Sequence, residues 1–270
     1  MTTIQWDSVG TRIYEAGVDH GVLYVEGEDG VAWNGLVSVE ENTTTSLSDV
    51  HFDGKKINTI VTLGDFSGVL RAFTYPEEFM ECEGIYEDDN GVYLTEQPLK
   101  RFGLCYRTLI GSDAEGLTVG YKLHLLYNLT AVPSTKVRQT LGFDTTPMEL
   151  TWDLSAIPEE VVGFRPTAHL ILDSRKIDKW LMQDIESILY GDESREPTLP
   201  PLEAILAFIQ KWDRLIIVDN NDGTWTAIAQ DPDAIIMLSP TEFQIEADTV
   251  VYLDAETYQI SSSDKNEEDI

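Results

Sequence analysis

The chain has 270 residues, 42% of them hydrophobic and 10% aromatic, and 48 acidic side chains against 18 basic ones give a formal net charge of −30. This is an ordinary globular composition with length enough for a real core. Its field repels nucleic acid and anionic membrane surfaces, which excludes sequence reading of DNA and leaves DNA only as a cargo that passes without sticking.

Cys82 and Cys105 are too few for a disulfide framework, and no CxxC occurs. The start, MTTIQWDSVG, has no basic segment followed by an apolar run, and no apolar stretch reaches membrane-spanning length. A cytosolic origin is expected.

Gly21–Val25 and Val31–Val39 read as short strands around the turn Glu26-Gly27-Glu28-Asp29-Gly30, with Trp33 as a core residue. Residues 40–56, EENTTTSLSDVHFDGKK, read as a long loop or an extended hairpin arm, and a segment of that length is often functional. Phe66–Phe73 is a strand that Pro76 brings to an end. An acidic turn over 81–91 and a short strand Val92–Thr95 follow.

Lys100–Thr130 reads as two long strands joined by a Gly- and Asp-bearing turn. Phe102, Leu104, Tyr106, Thr108 and Ile110 share one parity in the first strand, and Tyr121, Leu123, Leu125 and Tyr127 share one in the second. Together they are expected to form one oily face, leaving Cys105, Arg107, Lys122, His124 and Asn128 on a polar one.

Met148–Leu154 alternates again, and Thr167–Leu172 is apolar. The period then changes to that of a helix over 174–190, with a stripe of Ile177, Trp180, Leu181, Ile185, Ile188 and Leu189. Asp173 or Ser174 can cap its start and Gly191 its end. A second helix, Leu202–Trp212, follows Pro200-Pro201. Leu215–Val218 and Trp225–Ala229 make a hairpin around Asn221-Asp222-Gly223, and short strands Ile235–Leu238, Phe243–Glu246, Val250–Leu253 and Tyr258–Ile260 close the chain.

About thirteen strands and two helices that cluster rather than alternate predict a mainly β protein. The expected architecture is an antiparallel β-sandwich or barrel with a packed flanking α-helix over 1–190. A small C-terminal α+β region over 191–263 and a disordered acidic tail at 264–270 complete it.

The search for chemistry assigns no catalytic, cofactor or metal residue. Gly64-Asp65-Phe66-Ser67-Gly68 lacks the spacing of a nucleophile elbow, and the acids beside Cys82 blunt its thiol. His20, His51, His124 and His169 are scattered, with no HxH or HExxH, and the two in strands read as structural histidines. The candidate calcium loops around Gly54 and Gly91 fail at ligand positions, and the one around Gly223 places its glycine one position early. The chain is read as a non-enzyme without cofactor.

Several short stretches carry a family likeness. They are Trp6-Asp7, Arg12–Tyr24 (RIYEAGVDHGVLY), Val31–Leu36 (VAWNGL), Ala72–Phe79 (AFTYPEEF), Phe102–Gly111 (FGLCYRTLIG), Gly120–Asn128 (GYKLHLLYN), Arg165–Leu170 (RPTAHL) and Asp222–Thr226 (DGTWT). In these the chain resembles the major tail proteins, or tail tube proteins, of long-tailed siphophages infecting actinobacteria. The resemblance implies a β-sandwich with a flanking helix that assembles into hexameric rings stacked as a hollow tube. It also implies a virion location after synthesis in the host cytoplasm, and as partners the tape-measure, tail-terminator and distal tail proteins. Genomic DNA would be a non-specific cargo, and no membrane is involved.

Under that reading the candidate inter-subunit contacts are Arg107, Lys122 and His124, expected to meet carboxylates of a neighbouring subunit or loop, and Asp49, His51, Asp53 and Lys55 in the 40–56 segment. Residues 81–96 are a second stacking candidate. The alternatives are an accessory tail protein and a β-sandwich ligand- or carbohydrate-binding module.

Overall fold

A computed structural model describes residues 6–88, 91–138, 140 and 147–212, together with the backbone of six strands between 215 and 261. The chain forms two compact units, Met1–Leu202 and Glu203–Ile270.

The first unit is built from β1 (Ile13–Val25), β2 (Val31–Ala32), β3 (Leu36–Phe52), β4 (Lys55–Ala72), β5 (Tyr86–Asp88), β6 (Val92–Leu94), β7 (Phe102–Ser112), β8 (Gly116–Pro133), β9 (Leu150–Ala156), β10 (His169–Asp173) and the helix α1 (Lys179–Tyr190). An eight-stranded sheet runs β2-β1-β7-β8-β9-β4-β3, with β10 beside β8, and β5 and β6 pair apart from it. Every pairing is antiparallel. The mainly β, antiparallel architecture with few helices is the one that the clustering of strand signals implies.

β8 serves two partners along its far edge. β10 pairs with it over residues 122–126 and β9 over 129–133. Between them Asn128 takes a φ of 51° at a register shift against β7. Such a bulge inserts one residue and reverses the parity. Leu126, Leu129 and Ala131 therefore enter the same core.

From β8 the sheet curls, so that β3, β4 and β9 lie back over β7 and β8. Rings of Trp33, Phe79, Phe102 and Trp152 meet at tilted or edge-on angles in the space enclosed. Both indoles are satisfied there: Trp33 Nε1 donates to the Thr74 carbonyl at 2.9 Å, and Trp152 Nε1 donates to Glu83 Oε2 at 2.9 Å. Each large apolar side chain buried in this way contributes about 1.5–3 kcal/mol.

The register of β7 and β8 differs from the oily-face, polar-face division expected from parity. Leu104 lies opposite Leu126, Cys105 opposite Leu125, Tyr106 opposite His124, Arg107 opposite Leu123 and Thr108 opposite Lys122. Residues directly opposite share a face. Phe102, Leu104, Tyr106 and Thr108 thus sit with Leu126, His124 and Lys122, while Cys105 and Arg107 sit with Leu123 and Leu125. The 113–115 turn sets which parity meets which, and alternation within each strand carries no information about it. Both faces of the pair are covered, one by the aromatic core and the other by α1. Tyr24 Oη donates to the Leu189 carbonyl at 2.6 Å, and Leu181, Met182, Ile185 and Leu189 are buried.

α1 begins later than the apolar stripe suggests. Asp178 is its N-cap, accepting from Trp180 N at 2.8 Å. Asp173 instead grips Arg175, at 2.9 Å to Nε and 2.6 Å to Nη2, in the turn before the helix. Gly191, with a φ of 78°, closes the other end as expected.

In the second unit α2 (Leu202–Lys211) leads into three antiparallel hairpins. They pair β11 (Leu215–Asp219) with β12 (Trp225–Ala229), β13 (Ile235–Ser239) with β14 (Glu242–Ile245), and β15 (Thr249–Tyr252) with β16 (Tyr258–Ser261). The expected turn at Asn221-Asp222-Gly223 and the 264–270 tail lie outside the described residues. Among the described residues no helix is long and apolar enough to cross a membrane.

Candidate functional site

The 40–56 segment is the outer part of a long hairpin. β3 and β4 are joined by the two-residue turn Asp53-Gly54, with φ of 49° and 71°. Positive φ at both positions gives a turn whose twist matches that of the strands it joins. β4 pairs with β9 only over Ser67–Ala72. From Thr45 and Leu63 outward the two strands pair, among the described residues, only with each other, a ribbon about 25 Å long.

This ribbon exposes large apolar side chains among its polar ones. Leu47, Phe52, Ile57, Ile60, Val61 and Leu63 are each between 51% and 68% exposed. Leu47 lies opposite Val61, and Leu63 opposite Thr45, on one face. The same face carries Asp49, which pairs with Lys56 Nζ at 2.6 Å and accepts from Thr59 Oγ1 at 2.9 Å. At the base, Arg165 Nη2 donates to the Leu63 carbonyl at 2.9 Å and to Asp65 Oδ1 at 3.3 Å, and Nη1 reaches the Gly64 carbonyl at 3.3 Å. Of the sequence-predicted contacts, Asp49, His51, Asp53 and Lys55 all lie on this ribbon near its tip.

Arg107, Lys122 and His124 lie in the sheet below, and each meets a carboxylate of its own chain. Arg107, on the α1 side, makes a two-pronged pair with Asp19 at 2.7 and 2.9 Å and stacks over the Tyr121 ring at 4.9 Å. Asp19 is held below the usual carboxylate range by those hydrogen bonds. Lys122, on the opposite face, binds Glu15, which also accepts from Thr108 Oγ1 at 2.5 Å. Burial would raise the Glu15 pKa, but the hydrogen bonds from Lys122 and Thr108 outweigh it and leave the group lowered.

His124 is 4% exposed and stands at the centre of a polar cluster inside the curl. Its Nε2 lies 3.0 Å from Thr108 Oγ1 and 3.5 Å from Glu15 Oε1. Its Nδ1 lies 3.1 Å from His169 Nε2 and 3.3 Å from Glu41 Oε1. Glu41, on β3, also places Oε2 3.5 Å from His169 Nδ1 and accepts a hydrogen bond from the Tyr106 hydroxyl. The hydrogen bond from His124 is the main reason that Glu41 is held down to about 2. Burial lowers His169 to about 4 and raises the Tyr106 hydroxyl.

Glu15, Glu41, Tyr106 and His169 escaped the sequence reading as members of a site. The available signal was that Glu41 shares its parity with Val39, whose partner Leu70 is in the core. The two cysteines are free and buried, and burial pushes both thiols up to about 12, which leaves neither activated as a nucleophile.

No protein-family model and no curated protein matches the chain. Among solved structures it is similar to a chain of the sheath–tube complex of an extracellular contractile injection system, PVC, in the extended state, at 12% identity over 57% of this chain and 88% of that one, with a TM-score of 0.30. A chain of the anti-feeding prophage baseplate aligns at 9% identity over 63% of this chain and 97% of that one, with a TM-score of 0.30. A chain of the anti-feeding prophage tube terminating cap aligns at 12% identity over 64% and 95%, with a TM-score of 0.27. These scores are too low to assign a shared fold or function.

Proposed function

We propose that this chain is a subunit of a phage tail tube, closing into hexameric rings that stack through the outer β3–β4 ribbon. The observation that carries this reading is the ribbon itself. A two-stranded hairpin with no third partner is marginal in water. Contiguous exposed apolar surface on such an element marks a contact with another molecule. A head-to-tail contact repeated from each ring to the next satisfies every ribbon with an identical neighbour.

The resemblance of Arg12–Tyr24, Phe102–Gly111 and Gly120–Asn128 to tail tube proteins supports the same reading. Asp49, His51, Asp53 and Lys55 then form the polar rim of the inter-subunit contact, and the β5–β6 hairpin is a second contact. His124 acts from below through Glu41 at the ribbon's root, while Arg107 and Lys122 tie β7 and β8 to β1. The net charge of −30 suits a lumen from which phosphates are repelled, so that DNA passes without bound states. The tape-measure, tail-terminator and distal tail proteins are the remaining partners of this reading, with the virion as its location.

The test is negative-stain microscopy of the purified chain at high concentration, beside a variant with residues 45–63 replaced by a short Gly-Ser turn. Rings and tubes of uniform diameter from the first, and unstacked rings or monomers from the second, are the expected results. A strictly monomeric parent at every concentration, or normal tubes from the deletion, would overturn the reading.

A further inference from the structure

We propose that Glu41, His124 and His169 bind a divalent transition-metal ion of the Zn2+ class, which staples the root of the β3–β4 ribbon to the β8–β10 pair. Three elements deliver the ligands. His124 lies on β8 and His169 on β10, where His169 is opposite Leu126 and so diagonal to His124 on the same face. Glu41 reaches them from β3, across the curl.

One ligand atom from each residue falls within 4.8 Å of the others. His124 Nδ1 lies 3.1 Å from His169 Nε2 and 3.3 Å from Glu41 Oε1, while the 3.5 Å contact of Glu41 Oε2 is with Nδ1, the other ring nitrogen of His169. Bonds of about 2.0–2.1 Å in a tetrahedron separate neighbouring ligand atoms by roughly 3.3–3.4 Å, so the two separations from His124 Nδ1 are close to those of such a site, and the third pair lies within 4.8 Å. Two imidazoles and one carboxylate suit Zn2+ and its first-row neighbours rather than Mg2+ or Ca2+, which take oxygen.

Hydrogen bonding alone serves this arrangement poorly. His124 Nδ1 faces both His169 Nε2 and Glu41 Oε1, and one ring nitrogen has a single proton or a single lone pair to offer. One cation between the three satisfies them together.

The outer shell is also of the right kind. His124 turns its other nitrogen to Thr108 and Glu15, the carboxylate–histidine–metal arrangement that fixes the tautomer and strengthens the ligand. The Tyr106 hydroxyl orients Glu41 in the same way. The Glu41 side chain is 35% exposed, which leaves water a route to the fourth position.

The experiment uses the full chain stripped with a chelator and then titrated with ZnSO4 and, separately, CoCl2. Saturation at one ion per chain is expected, with an unfolding midpoint that rises with the logarithm of free Zn2+. A visible ligand-field band should appear with Co2+. The double variant Glu41→Gln/His169→Asn should lose both signals, and Glu15→Gln should weaken binding about 10–100-fold. If the double variant does not fold, the Co2+ spectrum of the unaltered chain decides. Unsaturable uptake with no Co2+ band, or binding unchanged in a folded double variant, would assign the ions to surface carboxylates and overturn the proposal. Ring formation is not a readout, so this result is independent of the tube reading.

Discussion

The β3–β4 hairpin is two structures in one. Its inner half, from Leu36 to Asn42 and from Ser67 to Ala72, adds to β9 and contributes Leu70 and Ala72 to the core, both fully buried. Its outer half, from Thr45 to Leu63, keeps the same antiparallel pairing yet leaves Leu47, Val61 and Leu63 in solvent. The pairing of β3 with β4 runs through both halves and so does not explain the difference. What separates them is a third layer. The inner half has the aromatic core beneath it; among the described residues no third layer covers the outer half.

The sharpest way to break this contrast is to remove the inner half's support. Trp152 stands opposite Leu70 on β9 and is fully buried. Trp152→Ala should cost about 3–5 kcal/mol, from the cavity and lost transfer energy. It also leaves the buried Glu83 carboxylate without its indole partner. Urea unfolding at neutral pH measures this, and a loss below about 1 kcal/mol would show that the core is not what holds the inner half.

Acid gives a smaller effect confined to the body. Hydrogen bonds from Arg175 hold Asp173, at the end of β10, down to about 2 against an ordinary value of 3.8. As pH falls below about 3.8 the unfolded chain takes up this proton first, so the stability that Asp173 contributes above that pH is lost progressively toward pH 2. Asp173→Asn should flatten that part of the acid profile, and replacing residues 45–63 should leave it unchanged. Denaturant midpoints across the pH series test both statements.

Arg165 probes the boundary between the halves. Its guanidinium ties the Leu63 and Gly64 carbonyls and Asp65 to the 157–166 segment. Because the side chain is about half exposed, Arg165→Ala should cost about 1 kcal/mol or less globally. The informative readout is hydrogen exchange. Amides of 45–63 should exchange faster while those of β7 and β8 do not change; equal acceleration everywhere would mean that the two halves open as one unit.

These contrasts also explain which parts of the structure could be read beforehand. The mainly β antiparallel class, Trp33 in the core and the Gly191 helix end follow from local pattern and chemistry, whereas sixteen strands stand among the described residues where the pattern predicts about thirteen. The outer ribbon gave only Asp53-Gly54 as a signal, because a strand exposed on both faces has no apolar period to detect. β7 failed in the opposite way: with Phe102 to Tyr106 buried on both faces, parity separated nothing, and the register depended on a turn. The histidine cluster was illegible for a third reason. His124 and His169 are 45 positions apart, and Glu41 reaches them only because the bulge at Asn128 and the curl of the sheet bring β3 over β8. No spacing rule encodes that meeting.

The smallest expected stability change is the most telling. Leu47, Val61 and Leu63 share one face of the outer ribbon and are each more than half exposed. Replacing all three with Ser should change monomer stability by no more than about 0.5 kcal/mol per site, since exposed positions away from packed features tolerate substitution. Thermal and urea unfolding of the monomer should therefore barely register the variant. If the face docks on a neighbouring subunit, the same three changes remove the apolar area that the contact buries, at about 25 cal/mol per Å2, in every subunit of a ring. Sedimentation at rising concentration should then show stacked assemblies in the parent and nothing larger than a single ring in the variant. A variant that unfolds with the parent and assembles with the parent would place the contact elsewhere, on the β5–β6 hairpin first, where Tyr86, Val92, Tyr93 and Leu94 are exposed in the same manner. A variant that loses stability would show instead that this face is packed within its own chain. Between those outcomes, an unchanged monomer that no longer stacks separates surface kept for a partner from surface the fold left uncovered.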